Sequence, residues 1–412
     1  MTPSVIAIAG ANLAGGRAAE ALRRRGFAGR IVLFGDEPHA PYERPPLSKQ
    51  ALDTGAEFEP AWLRTARQWD EIDVELATSE RVTGLSPAGR TLETSAGRTL
   101  RADFVLLATG GRSRPLGVVG ENLPGVHHLR THGDAMLLRG ALTSGRAVVV
   151  VGGGFIGTEV AASAVRAGCG VTVVEPAATI LQRGLGRRWG GRLQQVHAAQ
   201  GVRIMTGRGA VALHAGRLGR VGHVELDDGQ RLEADVVVIG VGLVPAVELA
   251  ASVGARVVNA GVVVDEGAAT SAGGIWAAGD VTVQPVEGRA GLVRLESWQN
   301  AQEQADVAAA SMLGQPLPKR SVPWFWSDQY GLNIQIAGDV GDADDVCVVR
   351  GDSGGSSWLA FHLRDGLVRG VIGLNRGREI RAAMRLIERR VVVSADELAD
   401  ESIDIRRAGA AA

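Results

Sequence analysis

The sequence predicts an α/β fold made of two similar βαβ domains and a smaller C-terminal α+β domain. Three observations lead to this prediction. The chain of 412 residues is longer than one hydrophobic core usually organises, so two or three domains are expected. One pattern of strand, glycine-rich turn, helix and strand occurs twice, about 140 residues apart. From about residue 321 the pattern changes to short apolar strands followed by one helix.

The first copy of the repeated pattern opens the chain. Val5–Ala9 is a continuous apolar run, as expected of a parallel strand that is buried on both faces. The run ends at Gly10, and the Ala-, Leu- and Arg-rich segment 15–25 is predicted to form a helix. A second strand over 31–34 ends at Asp36 and completes one βαβ unit.

The second copy follows the same plan between residues 147 and 175. Ala147–Val151 is the apolar strand, 152–157 is the glycine-rich turn, and a helix is expected to run to about Gly168. The strand over 171–174 then ends at Glu175. The sequence therefore predicts a second βαβ unit of the same construction.

Each copy later supplies another apolar strand that ends in glycines. These strands cover 104–108 and 236–239. In open parallel sheets such strand ends face a bound dinucleotide. A short strand within 274–280 ends in a carboxylate, Asp280, and is assigned to the first domain.

The predicted domain boundaries follow from this order of elements. Residues 1–112 and 240–320 are expected to form the first nucleotide-binding domain, and residues 113–239 the second. Residues 321–412 are expected to form the α+β domain, from strands at 334–337, 346–349, 358–363 and 368–374 and a helix at 376–390.

The second glycine turn, Gly152-Gly153-Gly154-Phe155-Ile156-Gly157, fits the GxGxxG dinucleotide fingerprint in full. Its first glycine allows the tight turn, the second lets the backbone approach the pyrophosphate, and the third lets helix and strand pack closely. The N-terminus of the following helix then faces the anion. A carboxylate at Glu175 accepts hydrogen bonds from the ribose diol and repels a 2′-phosphate, so NADH is predicted over NADPH.

The first glycine turn reads Gly10-Ala11-Asn12-Leu13-Ala14-Gly15, with Asn12 at the position of the second glycine. A side chain at that position must point away from the pyrophosphate. Asn tolerates a left-handed backbone better than most residues. Asp36 is placed to bind the adenosine ribose, and the alternative is a solvated acid in a turn.

Composition excludes several classes of function. With 44 basic and 45 acidic residues the net charge is −1, which argues against general attraction to nucleic acid or to a membrane surface. No apolar run reaches membrane-spanning length. Cys169 and Cys347 form neither a CxxC pair nor a zinc ligand set, and the histidines lack metal-ligand spacing, so no metal site is predicted. The two separated cysteines fit a reducing, cytoplasmic compartment. The N-terminus is typical of a first strand rather than of a targeting segment.

Six segments form a more specific combination: PYERPPLSK at 41–49, ATGG at 108–111, the glycine motif through Glu159, AGD at 278–280, RLESW at 294–298 and PWFWSDQY at 323–330. Together they resemble the ferredoxin and rubredoxin reductases that serve cytochromes P450 and ring-hydroxylating oxygenases, which are relatives of apoptosis-inducing factor. The resemblance covers nearly the whole chain. It implies two Rossmann-like domains in a glutathione-reductase-like architecture, with FAD and NAD(H) as cofactors.

The resemblance also implies roles for individual residues. Arg44 and Lys49 would contact FAD, Asp280 would bind its ribityl chain, and Trp298 would lie close to the flavin ring. Glu159 would pair with Lys49 near flavin N5, where hydride arrives. The predicted catalytic residues are therefore Lys49, Glu159 and Trp298. The predicted FAD-binding residues are Gly10, Asn12, Ala14, Gly15, Asp36, Arg44, Lys49, Val82, Ala108, Thr109, Gly110, Gly279, Asp280 and Trp298. The predicted NAD-binding residues are Gly152, Gly154, Phe155, Ile156, Gly157, Glu159, Glu175 and Gly242.

Each catalytic prediction has a simpler alternative. Only Lys49 and Lys319 are lysines among the 44 basic residues, which suggests that a compact ammonium matters at Lys49, although chance placement is the alternative. Glu159 could merely complement the helix dipole, and Trp298 could be a core aromatic residue.

The predicted function is electron transfer from NADH through FAD to a ferredoxin-type iron–sulfur carrier that supplies a P450 or an oxygenase, with rubredoxin less favoured. Residues 36–60 contain no cysteine, which excludes the disulfide and single-thiol relays of other flavoprotein families. The alternatives are an NADH oxidase or diaphorase without a protein acceptor and a flavin-bearing interaction protein controlled by redox state.

A basic docking surface is expected because such carriers are usually acidic. Two clusters are candidates, although charge runs are often only solvated faces: Arg183, Arg187, Arg188 and Arg192, and Arg376, Arg378, Arg381 and Arg385.

Overall fold

The computed structural model describes residues 4–86, 90–286, 291–341 and 346–409, which form two compact units. The first unit comprises Met1–Pro45, Pro60–Arg112 and Leu243–Arg320, and the second comprises Pro46–Glu59, Ser113–Gly242 and Ser321–Ala412. The second unit thus contains both the second βαβ region and the C-terminal region, together with a short segment of the first predicted domain. The three-domain division stays a prediction.

Helices alternate with single strands only around the two glycine turns, and runs of consecutive strands make up much of the rest of the described chain. The helices are α1 (Leu13–Arg24), α2 (Ala66–Glu71), α3 (His132–Ala141), α4 (Phe155–Arg166), α5 (Gln182–Ala199), α6 (Glu248–Ser252), α7 (Trp298–Met312), α8 (Gly377–Arg389) and α9 (Ala395–Ala399). The strands before α4 are β1 (Val5–Ala9), β2 (Arg30–Phe34), β3 (Val74–Ala77), β4 (Val82–Ser86), β5 (Thr91–Thr94), β6 (Thr99–Arg101), β7 (Phe104–Leu107), β8 (Gly111–Ser113), β9 (Val126–His127) and β10 (Ala147–Val151).

The remaining strands fall into a middle group and a C-terminal group. The middle group is β11 (Gly170–Glu175), β12 (Arg203–Thr206), β13 (Ala210–Ala215), β14 (Val221–Leu226), β15 (Arg231–Glu233), β16 (Val236–Ile239), β17 (Leu243–Pro245), β18 (Val257–Val258), β19 (Gly261–Val263), β20 (Ile275–Ala277), β21 (Thr282–Pro285) and β22 (Leu292–Val293). The C-terminal group is β23 (Trp324–Gln329), β24 (Leu332–Gly338), β25 (Val346–Gly351), β26 (Trp358–Arg364) and β27 (Leu367–Leu374).

A five-stranded parallel sheet in the order β20-β7-β1-β2-β3 forms the centre of the first unit. In β1 the residues Ile6, Ala7 and Ile8 are completely buried, as expected when both faces of a parallel sheet are covered. Helices α1 and α7 pack together through alanines such as Ala18 and Ala305, whose small side chains allow close approach. Strand β20 lies beside β7, so the predicted return of 274–280 to the first sheet is observed.

A second parallel sheet, in the order β12-β11-β10-β16-β9, forms the βαβ part of the second unit. Strand β10 lies at its centre and is nearly all valine, with Val148–Val151 buried. Helix α4 follows β10 directly and packs on β11, which is the βαβ arrangement that the sequence predicts.

The C-terminal part of the second unit is an antiparallel sheet in the order β23-β24-β27-β26-β25. Helix α8 covers it with Ile380 and Ala383, which share a core with Phe361 and Val371. The hairpin from β23 to β24 turns through two residues, Tyr330 and Gly331, whose φ angles of 53° and 75° fit a two-residue turn with left-handed backbone. The predicted α/β class with a C-terminal α+β part is confirmed.

Across the described ranges, no helix combines the length and the apolar character that crossing a membrane requires.

Candidate functional site

The first glycine turn, between β1 and α1, requires glycine at both ends. Gly10 has φ 122°, and a Cβ there would lie 2.2 Å from the carbonyl oxygen of Ala108. A Cβ at Gly15 would lie 2.0 Å from the carbonyl oxygen of Gly10. No side chain can enter either contact, so the turn stays close to the sheet and to the start of the helix.

Asn12 is the N-cap of α1 and directs its side chain into the protein. Its Oδ1 accepts a hydrogen bond from the Gly15 N–H at 3.3 Å, and its Nδ2 donates to the carbonyl oxygen of Ala108. Its backbone is extended, with φ −125°, so the tolerance of Asn for left-handed backbone is not used. Asn12 thus replaces glycine without placing its side chain in front of the turn.

Arg44 lies in a polar cluster that follows β2. Its Nη2 is 2.7 Å from Glu37 Oε1, and the Tyr42 hydroxyl donates to Glu37 Oε2 at 2.6 Å. Burial alone lowers the pKa of Arg44, but Tyr42, Glu37 and Asp280 together hold it above its ordinary value. Glu37, which sequence reasoning passed over, adjoins Asp36, and Asp36 itself is exposed at the end of β2.

Several of the other FAD-binding residues predicted in the first unit follow the carboxyl ends of its parallel strands: Ala108, Thr109 and Gly110 come after β7, and Gly279 comes after β20. Ala14 and Val82 are buried, and a Cβ at Gly279 would lie 3.1 Å from the Ala14 Cβ. The Thr109 hydroxyl donates to the Ala246 carbonyl at 2.7 Å, and the Ala246 N–H donates to the Gly110 carbonyl at 3.0 Å.

Gly279 and Trp298 both adjoin helix α7. The Gly279 N–H donates to Gln304 Oε1 at 2.8 Å, which ties the AGD segment to α7, and Gln304 is a residue that sequence reasoning missed. Trp298 is half-buried at the first position of α7, directly after the cap residue Ser297. Lys49, in contrast, belongs to the second unit.

The second glycine turn, between β10 and α4, has the same construction. A Cβ at Gly152, whose φ is 106°, would lie 2.5 Å from the Gly240 carbonyl oxygen. A Cβ at Gly157 would lie 2.0 Å from the Gly152 carbonyl oxygen. At Gly154, the N-cap of α4, a Cβ would meet nothing within 4 Å, so open space lies directly in front of the helix N-terminus. This space and the exposed amide groups fit a dinucleotide pyrophosphate.

Glu175 ends β11 beside this turn. Its Oε2 accepts from the Gly153 N–H at 2.7 Å, and its Oε1 accepts from the Ala177 N–H at 2.8 Å. The carboxylate is therefore fixed at the position where the fingerprint expects the ribose-binding acid. Phe155 packs against Phe325, with ring centroids 4.5 Å apart and ring planes tilted by 51°. Ile156 is exposed, and Gly242 has φ 112°.

Lys49 and Glu159 form a buried ion pair in the second unit. Lys49 Nζ lies 2.9 Å from Glu159 Oε1, and the two side chains are 12% and 2% exposed. Two hydroxyl groups also donate to the Glu159 carboxylate: Ser327 donates to Oε1 at 2.6 Å, and Ser48 donates to Oε2. Glu159 is thus fixed by three donors, far more firmly than a helix-dipole role would require.

A second group of buried polar side chains adjoins Glu159. Gln329 Nε2 donates to Ser327 Oγ and to Thr158 Oγ1, both at 2.9 Å. His197 Nε2 lies 2.6 Å from Gln329 Oε1, and the Tyr330 hydroxyl lies 2.9 Å from His197 Nδ1. Burial lowers the pKa of His197, although its hydrogen bond to Gln329 opposes this, and burial raises the pKa of Tyr330.

Sequence reasoning assigned no role to Ser48, Ser327, Gln329, His197 or Tyr330. Three of them lie in the PWFWSDQY segment, and Ser48 precedes Lys49 in the PYERPPLSK segment; both segments carry the family resemblance. Only the alternation of polar Ser327 and Gln329 with other residues in that segment could have indicated one inward-facing side of a strand.

The two predicted basic clusters are partly neutralised within the chain. Arg192 donates to the backbone carbonyls of Ser353 and Gly354, and Arg376 pairs with Glu379 and Glu401. The exposed members of the two clusters are Arg183, Arg187, Arg188, Arg378, Arg381 and Arg385.

Cys169 and Cys347 are both free thiols in the second unit, and burial raises the pKa of each. In the ranges that the structure covers, no three His, Cys, Asp or Glu side chains gather as a metal site would require.

Comparison with known proteins gives a consistent result over the whole chain. Residues 4–305 match the model of the pyridine nucleotide-disulphide oxidoreductase family, and residues 324–409 match the reductase C-terminal model. The chain is 40% identical to rhodocoxin reductase of Rhodococcus erythropolis, over 98% of this chain and 94% of that protein.

Two further similarities agree with this. The chain is 39% identical to the ferredoxin–NAD(+) reductase subunit of the benzene 1,2-dioxygenase system of Pseudomonas putida, over 97% and 96% of the two chains. The crystal structure of the covalent putidaredoxin reductase–putidaredoxin complex contains a chain that superposes with a TM-score of 0.93 at 35% identity, covering 98% of this chain and 97% of that one.

Proposed function

Because the chain belongs to the pyridine nucleotide-disulphide oxidoreductase family, among the ferredoxin reductases of P450 and dioxygenase systems, we propose that it is an NADH:ferredoxin reductase. It takes electrons from NADH and delivers them, through FAD, to a ferredoxin-type iron–sulfur protein. That carrier supplies a cytochrome P450 or a ring-hydroxylating dioxygenase.

One observation carries most of this proposal: two glycine turns of the same construction occur in two separate units, and a buried lysine–glutamate pair adjoins the second. Each turn leads into a helix N-terminus without a side chain in front of it, because Gly154 has none and Asn12 turns its own toward Gly15 and Ala108. Such an N-terminus suits a dinucleotide pyrophosphate. Two such turns in one chain indicate two dinucleotides, as an NADH-dependent flavoprotein requires.

Residues of the first unit would hold FAD. Gly10 and Gly15 let the turn pack tightly between β1 and α1. Asp36 would accept from the adenosine ribose and Asp280 would bind the ribityl chain, as the fingerprint and the family resemblance imply. Arg44, fixed by Glu37, supplies positive charge beside this site. When bound, FAD accepts two electrons together as hydride and releases them one at a time.

Residues of the second unit would hold NADH. Gly152 and Gly157 shape the turn, Gly154 leaves room for the pyrophosphate, and Glu175 accepts from the ribose diol. Glu159, two residues after Gly157 on α4, holds Lys49 in a fixed position. We propose that the Lys49 ammonium donates to the reacting edge of the flavin, as the family resemblance implies, and that Trp298 shields the flavin ring.

The cysteines support electron delivery to an external acceptor. The first unit contains no cysteine in its sequence, and Cys169 and Cys347 are buried or half-buried thiols of raised pKa in the second unit. A disulfide relay is therefore absent from the proposal. The two free thiols also agree with a reducing, cytoplasmic compartment.

The proposal is tested by measuring NADH-driven cytochrome c reduction by the FAD-loaded protein, with and without a [2Fe–2S] ferredoxin or a rubredoxin. We expect a flavin spectrum, a clear preference for NADH over NADPH, and a rate that rises steeply with the ferredoxin. A double variant, Cys169→Ser with Cys347→Ser, should retain that rate. Failure to bind FAD, or oxygen consumption that no carrier accelerates, would contradict the reductase function.

The NADH preference has its own test. Glu175→Gln retains an acceptor for the Gly153 N–H but removes the negative charge that opposes a 2′-phosphate. The ratio of kcat/KM for NADPH to that for NADH should rise by about tenfold, which corresponds to about 1.4 kcal/mol. An unchanged ratio would show that Glu175 does not set the preference.

A further inference from the structure

A continuous row of buried side chains leads from Glu159 into the C-terminal sheet. It consists of Ser327, Gln329, His197 and Tyr330, which we call the Glu159 chain. Ser327, Gln329 and His197 are all at most 3% exposed. Successive polar atoms along it are separated by 2.6 Å, 2.9 Å, 2.6 Å and 2.9 Å, so each step is a hydrogen bond.

The two hydroxyls next to Gln329 fix the orientation of its amide. Ser327 must donate to the carboxylate of Glu159, which only accepts. Thr158 lies 3.0 Å from the carbonyl oxygens of Gly154 and Phe155, so it must donate to one of them. Both hydroxyls can then only accept from Gln329, and the NH₂ side of the amide must face them.

The amide orientation in turn fixes the proton on His197. Gln329 Oε1 faces His197 Nε2 at 2.6 Å, so Nε2 carries the hydrogen. Nδ1 is then bare and accepts from the Tyr330 hydroxyl at 2.9 Å. Burial favours the neutral forms of both His197 and Tyr330, in agreement with this arrangement. Every donor in the chain therefore points toward Glu159.

We propose that Gln329 is a positioning residue for NADH oxidation. Its amide oxygen fixes the His197 tautomer, and its NH₂ group donates to the Ser327 hydroxyl. That hydroxyl in turn donates to Glu159 and keeps the carboxylate aligned with Lys49. This rests on the proposed function, which places the Lys49–Glu159 pair at the site of hydride transfer. It gives β23 of the C-terminal sheet a direct influence on the nicotinamide reaction.

The test compares Gln329→Leu with a matched control, Gln335→Leu, on the neighbouring strand β24. Gln335 accepts from Trp324 and donates to Asn333, and neither of these residues belongs to the Glu159 chain. In FAD-loaded protein, stopped-flow flavin reduction at saturating NADH should slow roughly 10- to 100-fold in Gln329→Leu. The NADH dissociation constant should change by less than about twofold, since the glycine turn and Glu175 are untouched.

A second readout does not depend on turnover. In protein with ¹⁵N-labelled histidine, His197 of the wild type should show a single neutral tautomer with Nε2 protonated. Gln329→Leu should lose that tautomer preference, while Gln335→Leu should retain it. Because Gln329→Leu could disturb folding, Ser327→Ala provides a smaller change, which should slow flavin reduction but leave the His197 tautomer as in the wild type.

The outcomes separate the two proposals. Rapid reduction of the wild type with unchanged rates in both Gln329→Leu and Ser327→Ala would overturn the positioning role and leave the reductase function intact. A His197 with Nδ1 protonated would also overturn it, whatever the kinetics. A wild type that NADH does not reduce would contradict the proposed function instead.

Discussion

Breaking the Lys49–Glu159 ion pair should destabilise the second unit much more than breaking an exposed pair of the same length. Glu159→Gln leaves the Lys49 ammonium without its carboxylate, and Lys49→Met leaves the carboxylate without its ammonium. The atoms are 2.9 Å apart, and the side chains are only 12% and 2% exposed. Removing one partner of such a pair costs roughly 3–5 kcal/mol, because an uncompensated charge stays buried.

The exposed pair Arg67–Glu71 provides the control. Its Nε–Oε1 distance is also 2.9 Å, but its side chains are 88% and 54% exposed. Glu71→Gln should therefore lower the free energy of unfolding by about 0.5 kcal/mol or less. The N–O distance is the same in the two pairs, so the comparison tests chiefly the effect of burial.

The assay is urea unfolding in excess FAD, followed by circular dichroism, for each single variant and for Lys49→Met with Glu159→Gln. The double variant should be less destabilised than the sum of the single variants, by more than about 1 kcal/mol, because neither charge is left alone. Additive losses, or a loss at Glu159 no larger than at Glu71, would refute the view that the pair is desolvated and coupled.

Three further changes test other parts of the structure. Gly157→Ala places a Cβ 2.0 Å from the Gly152 carbonyl oxygen, so NAD⁺ affinity measured by calorimetry should fall by roughly 100-fold. Asn12→Ala removes the cap of α1, and thermal unfolding of the FAD-free protein should show a loss of about 1 kcal/mol; no change would mean that the cap is not needed. The pKa of buried His197 lies below its ordinary 6.5, so the unfolded state binds more protons and the free energy of unfolding should fall as pH drops below about 6.5. His197→Gln should flatten that dependence in urea unfolding at several pH values.

Buried parallel strands are the elements that the sequence predicts best. Val5–Ala9, Ala147–Val151 and Val236–Ile239 have their predicted bounds, because each is a short apolar run closed by a glycine. Helix ends are less accurate. Helix α1 begins at Leu13 rather than at 15, since the Asn12 side chain caps it two residues earlier than the glycine pattern suggests.

The glycine turns could also be predicted, because the need for glycine comes from the strand, turn and helix that are adjacent in the sequence. The surroundings of Glu159 could not be predicted, because its partners Ser48 and Ser327 are separated from it by 111 and 168 positions. Packing of the C-terminal hairpin brings Ser327 and Gln329 to α4, and no periodicity in the sequence encodes that contact. Arg192 shows the opposite error: its charge predicts a solvated docking residue, yet backbone carbonyls of a distant loop bind it.

The pairing of β20 with β7 has a consequence for synthesis of the protein. Ile275 is hydrogen-bonded in register with Val105, so one edge of the first parallel sheet is completed by residues made about 170 positions later. Until then an emerging chain carries β7 with the backbone N–H and C=O groups of one edge unpaired, and such edges recruit other strands. The ribosome must therefore synthesise about two thirds of the chain before β20 can pair with β7 and complete the first sheet. A fragment that ends before β20 should aggregate rather than fold, however complete its glycine turn.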